Sequence, residues 1–165
     1  MKINFFAFVY LIIVIVLVGC QDKTVKAPSD FPSALLVASA AKNVNYRIID
    51  GTPQVNYQVT TCYPGDEVIK EIEQKMTEKN WKLLTEDFLN PGLKSTRKWS
   101  QFRDTKNNYI YQIIEDWKDA QGNIVRYGLR YLSKTNQNPS SNCLMEVNGI
   151  YVNKELLNKI LLNLK

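Results

Sequence analysis

The chain has 165 residues, room for one ordinary domain with a core large enough to fold alone. It contains no histidine, which excludes a Ser-His-Asp triad, a Cys-His dyad and imidazole metal ligation together. The formal charge of +5 is a mild basicity, compatible with proximity to anionic lipids or other polyanions without requiring it.

Met1 and Lys2 give a short positive start, and Phe5 to Val18 then runs 14 residues without a charge. That matches the apolar core of a secretory signal and falls short of the ~20 residues that span a bilayer, which is what a retained membrane anchor would need. The run ends in Leu17-Val18-Gly19-Cys20, followed by polar Gln21-Asp22. This stretch resembles the lipobox of bacterial lipoproteins: Leu, a loosely specified residue, a small residue, then Cys. The resemblance covers only the leader. It implies cleavage between Gly19 and Cys20 and a diacylglyceryl group on the Cys20 thiol. At ~0.8 kcal/mol per buried CH₂, two or three acyl chains hold a soluble domain at a membrane durably. Residues 1–19 are then signal peptide, 20–33 a lipidated tether, and 34–165 a single domain. Loss of Lys2 lowers the formal charge to +4. The expected location is the cell membrane or outer membrane, with the domain on the extracytoplasmic side. Export argues against a nucleic-acid partner.

With Cys20 acylated, Cys62 and Cys143 remain as an even pair in a disulfide-permissive compartment. They are candidates for a disulfide; two buried thiols are the alternative.

The polar stretch 21–33 carries Pro28 and Pro32 and reads as a tether. The Ala-rich stretch 34–41 suggests a short helix. Residues 46–50 and 54–62 read as strands around a turn at Gly51-Thr52-Pro53. Asp66 is a candidate N-cap, and Val68, Ile69, Ile72 and Met76 then share one helical face that ends at Asn80. Glu71 and Lys75 form an i,i+4 pair on its wet side. A short strand at 81–84, a loop at 90–96 and a strand at 97–102 follow.

The clearest hairpin pairs 109–118 with 124–132. Setting Trp117 opposite Val125 places Ile113 by Leu129 and Tyr111 by Tyr131 on one face. The other face receives Asp116 by Arg126 and Gln112 by Arg130. After a polar loop at 134–142, residues 143–147 read as a strand closed by a tight turn at Asn148-Gly149. Asn153 caps a last helix whose apolar face is Leu156, Leu157, Ile160, Leu161 and Leu164. Glu155 and Lys159 make an i,i+4 pair on it. The fold expected is α+β: two layers, an antiparallel sheet with two helices packed on one face.

No G-x-S-x-G, phosphate-loop, dinucleotide or calcium-loop pattern occurs. No catalytic residue, metal site or cofactor is therefore assigned. Glu115, Asp116 and Asp119 cluster near Trp117, and paired acids beside an aromatic suit glycan hydrolysis. However, Glu115 and Asp116 point to opposite strand faces. They read instead as solvated turn charges, with Asp116 a cross-strand partner of Arg126. Arg126 and Arg130 share a strand face about 13 Å apart and with Lys134 form a candidate patch for an acidic partner, a headgroup or a glycan polymer. A sheet face kept soluble by charge is the plainer reading. The reading that emerges is a non-catalytic, membrane-anchored envelope lipoprotein that binds a protein or an envelope component such as a glycan. The alternatives are a carboxylate-dependent hydrolase acting on cell-wall glycan, or a small-molecule or lipid-binding module using the Tyr111/Trp117/Tyr131 face.

Overall fold

The computed structural model describes residues 26–88, 99–103, 108–133 and 143–163. Cys20, the leader, Lys134 and the loops at 90–96 and 134–142 lie outside them. Seven strands form one antiparallel sheet: β1 (Ala41–Ile49), β2 (Thr52–Thr60), β3 (Lys82–Leu83), β4 (Ser100–Arg103), β5 (Tyr109–Lys118), β6 (Ile124–Ser133) and β7 (Leu144–Val152). The order is β1-β2-β7-β6-β5-β3, with β4 also on β5. β3 pairs with β5 at Trp117-Lys118 and β4 at Tyr109 to Gln112, so the outer edge of β5 is covered at both ends. Helices α1 (Asp66–Glu78) and α2 (Lys154–Asn163) complete an α+β domain.

The central hairpin has the register that its side-chain pattern requires, with Trp117 opposite Val125 and Asp116 opposite Arg126. The first hairpin differs from expectation. Its turn is Asp50-Gly51, with φ of 49° and 73°, while Thr52 and Pro53 are already in β2. A two-residue hairpin loop of type I′ needs positive φ at both positions, which Asp-Gly supplies and Pro cannot. Pro53 precedes Gln54, the first residue of β2 paired to β7, so its missing N–H costs no bond there.

One face of the sheet carries the core. Val55, Tyr57 and Val59 of β2, Met145 and Val147 of β7, Val125, Tyr127, Leu129 and Tyr131 of β6, and Tyr111, Ile113 and Trp117 of β5 are all buried on it. Val68, Ile69, Ile72 and Met76 of α1 pack against this face, as their spacing demands. None of the buried core residues comes from α2, so the expected packing of both helices on one face is not shown among the described residues. Asn153 caps α2, its Oδ1 accepting from Leu156 N at 2.8 Å.

Gly65, at φ 65°, stands at the N-cap of α1, and Asp66 falls in the first turn instead of capping it. A Cβ on Gly65 would come within 2.6 Å of the Tyr131 hydroxyl, so both conformation and space demand glycine there. At the other end Trp81 N donates to Met76 O (3.0 Å) and Asn80 N to Thr77 O (2.9 Å), with Asn80 at φ 62°. These bonds form a Schellman stop.

The expected helix at 34–41 is absent. Residues 34–38 form an irregular, buried strap, and Ala41 already begins β1. The reason is Tyr127. Its hydroxyl accepts from Leu36 N at 2.6 Å and donates at 2.7 Å to Ala34 O, the carbonyl that a helix would pair internally. Glu71 and Lys75 hold the same strap and are not merely a wet-side pair. Glu71 accepts from Ser39 N (2.7 Å) and Ser39 Oγ (3.1 Å), while Lys75 Nζ donates to Val37 O (3.1 Å) and Glu71 (2.6 Å).

Asn148-Gly149 is not a turn either; both residues lie inside β7. Gly149 is opposite Tyr127, and a Cβ on it would meet Tyr127 Cε1 at 2.9 Å and Val55 Cγ1 at 3.0 Å. The tyrosine ring takes the space a side chain would need. Cys62 and Cys143, just beyond the paired ends of β2 and β7, stand at disulfide bonding distance. Their sequence separation of 81 makes such a bond worth roughly 4.5 kcal/mol in the chain-entropy model. Beside them Tyr63 packs on Trp99 (5.2 Å between centroids) and on Tyr131 (5.8 Å).

Two outcomes are expected. Gly149→Ala destabilises the domain by about 2 kcal/mol through overpacking against Tyr127, to be read from urea midpoints. The Glu71 carboxyl faces burial, which pushes it up, but bonds from Lys75 and Ser39 outweigh this and hold it below its usual 4.5. Its contribution is therefore complete above pH 4.5 and fades as pH falls through the depressed folded value. Glu71→Gln should lower the melting temperature at neutral pH and flatten its dependence on pH below 4.5.

Candidate functional site

The middle of the second face of the sheet is polar and open, while Ile110, Ile124 and Val152 toward its ends are buried. The strand registers align its side chains in rows that run from β5 to β1. One row is Ile114, Gly128, Asn148, Asn56 and Asn45; beside it run Asp116, Arg126, Ile150, Gln54 and Arg47. On the other side run Gln112, Arg130, Glu146, Gln58 and Lys42. Side chains alternate between sheet faces, so the pattern that fills the core places this array opposite it.

Two adjoining depressions mark the face. One, of about 410 Å³, has Ile114, Gly128 and Ile150 on its floor and Arg47, Arg126, Arg130, Gln112, Asn56 and Asn148 around it. The other, of about 340 Å³, extends over Asn43, Asn45, Gln58 and Glu146 and shares Asn56, Arg130 and Asn148 with the first. A Cβ built on Gly128 meets nothing within 4 Å, so this glycine opens the hollow.

The arginines are held differently. Arg126 donates through Nε and Nη2 to the two oxygens of Asp116, both at 2.7 Å, and through Nη2 to Asp87 at 3.1 Å. Its guanidinium also lies 4.5 Å over the Phe88 ring. Burial pushes its pKa down, but the bonds and charges of Asp116 and Asp87 outweigh this and raise it. Arg130 is half exposed and donates to Glu146 at 2.7 Å. Arg47 is exposed, and Asn56, with its amide oxygen turned toward it, accepts from Nε and Nη2 at 3.1 Å each. In that orientation the Asn56 amide nitrogen is turned toward the Asn148 side-chain amide.

The structure thus brings Arg126 and Arg130 to one face as expected, but Arg126 belongs to a structural ion cluster and Arg130 has a carboxylate partner. The expectation of solvated turn acids is corrected. Glu115 is 0 % exposed, in the core row opposite Tyr127, and Asp116 is 2 % exposed beneath Arg126. Glu115 and Asp116 lie on opposite sides of the sheet. Asp119 accepts from Asn123 N (2.8 Å) and Nδ2 (2.7 Å) and shapes the hairpin loop. Tyr111, Trp117 and Tyr131 are buried within the core cluster, and burial pushes the Tyr131 phenol up to about 12. A ligand on that face would have to displace the core.

Sequence reasoning missed Arg47, Asn56 and Asn148. The signal was present in the amides of β2 and β7 (Gln54, Asn56, Gln58, Asn148), which alternate with apolar residues at period two. It was obscured by taking Asn148-Gly149 for a turn. Among the described residues, no group of three or more His, Cys, Asp or Glu could hold a metal ion, and no helix is long and apolar enough to cross a membrane. Compared with known proteins, the chain matches no family model, no curated protein sequence and no solved structure.

Asp116→Asn should destabilise the fold by roughly 3 kcal/mol, because it leaves the Arg126 charge with Asp87 alone in a half-buried site. A double-mutant cycle with Arg126→Gln, followed by thermal unfolding, isolates the pair.

Proposed function

We propose that this chain is a lipid-anchored envelope protein, tethered through an acylated Cys20 and acting by binding an envelope component rather than by catalysis. The observation that carries this reading is the division of the three cysteines. Cys62 and Cys143 stand at disulfide bonding distance, which leaves Cys20 as the odd thiol, beside the lipobox-like Leu17-Val18-Gly19. A disulfide fits an exported, oxidising compartment, the same destination as the leader.

The binding part of the reading rests on the two faces of the sheet. One is filled by α1, the 34–38 strap and the Tyr63/Trp99 cluster. The other presents amides and arginines around open hollows. Glu115 lies in the core row and Asp116 serves Arg126, so no observation favours the pair as catalytic acids.

Mass spectrometry of the native protein tests the anchor. The expected mature N-terminus is Cys20 carrying diacylglyceryl, and any other N-terminus refutes it. Native protein should partition into detergent and retain envelope material in a pull-down, whereas Cys20→Ser should partition into water.

A further inference from the structure

The hollow over Gly128 combines three properties that select a ligand. Its floor is a small apolar patch, Ile114, Gly128 and Ile150, suited to the C–H face of a sugar ring. Its rim carries the amides of Gln112, Asn56 and Asn148, groups that donate and accept as hydroxyls do. Its charge is uneven. Arg126 and Arg130 have carboxylate partners, while Arg47 is held, among the described residues, only by the neutral Asn56 amide. Among the described residues, no carboxylate lines this hollow.

Arg47 is three strands from Gly128, about 14 Å at ordinary strand spacing, with its side chain turned back toward Asn56. One sugar ring cannot contact both, whereas a short chain can. A single guanidinium without a carboxylate partner, planar and forked, matches one singly charged planar carboxylate.

Resting on the envelope-binding reading above, we propose that this face binds a carboxylate-bearing glycan, with one ring on the Ile114/Gly128/Ile150 floor and a carboxylate on Arg47.

Gly128 supplies the test. Its backbone lies outside the left-handed region and a Cβ there meets nothing within 4 Å, so Gly128→Val projects into the hollow and leaves the charge unchanged. Full-length native protein in detergent is titrated calorimetrically with oligogalacturonate and with its methyl ester. The acid form is expected to bind. Affinity should fall by about tenfold or more in Gly128→Val, in Arg47→Gln, and on esterification. Arg47 is exposed on the edge strand β1, so its variant keeps the test valid if the valine protein folds poorly.

The proposal is overturned if neither oligomer binds, or if Gly128→Val with a native melting temperature binds as well as the parent. Equal binding of acid and ester signifies a neutral glycan and overturns it too. So does capture of a protein at this face that the oligomer fails to displace, which signifies a peptide occupant. The two readings fail separately. Acylated Cys20 with envelope capture but no oligogalacturonate binding refutes this inference alone, and binding by a protein without acyl chains refutes only the anchor.

Discussion

Tyr127 standing on Gly149 is the contact around which this domain is arranged. The ring occupies the space above a glycine in the neighbouring strand, and its hydroxyl reaches Ala34 and Leu36 from there. These two hydrogen bonds hold the 34–38 strap across the core face. The strap carries Leu35 and Leu36 into the core and offers Val37 and Ser39 to Lys75 and Glu71 of α1. Strap, helix and sheet are thus coupled through one phenol. Burial raises the Tyr127 pKa well above its ordinary value, so the hydroxyl remains a donor.

With one face sealed, the polar side chains of the sheet gather on the other. The core face uses large rings and branched side chains, whereas the opposite face uses Asn, Gln and Arg with a glycine at the centre. The two glycines of the central strands therefore have opposite uses. Gly149 is small because a neighbour fills its space, and Gly128 is small where space remains open.

The sequence was most informative where a pattern repeated over many residues. The β5–β6 register followed from ten residues on each strand, since any slip would have mixed charged and apolar side chains. The buried face of α1 and its stop at Asn80 followed from periodicity and a cap residue. The errors came from short signals overridden by tertiary contacts. Ala-rich composition suggested a helix at 34–41 because nothing local reveals that Tyr127 takes its backbone bonds. Asn148-Gly149 carries the composition of a turn, yet the glycine answers a ring on another strand. Glu115 neighbours a loop and reads as a solvated charge on that ground, although strand alternation alone assigns it to the core side with Ile113 and Trp117. The polar face was half legible: Arg126 and Arg130 by strand parity, but not Arg47 or the Asn56–Asn148 pair, which depend on β2 meeting β7.

The kink in β1 bears on how the molecule behaves among its own copies. Register slips between Lys42 and Asn45, where Asn43 adopts φ 54°, so the outermost strand bends out of line. Lys42 and Arg47 also mark this strand with charge. A straight, uncharged border would offer its free peptide groups to the border of the next molecule. A bent and cationic one is a poor template for such stacking. Even where copies are crowded together, such a border keeps the domain separate from its neighbours.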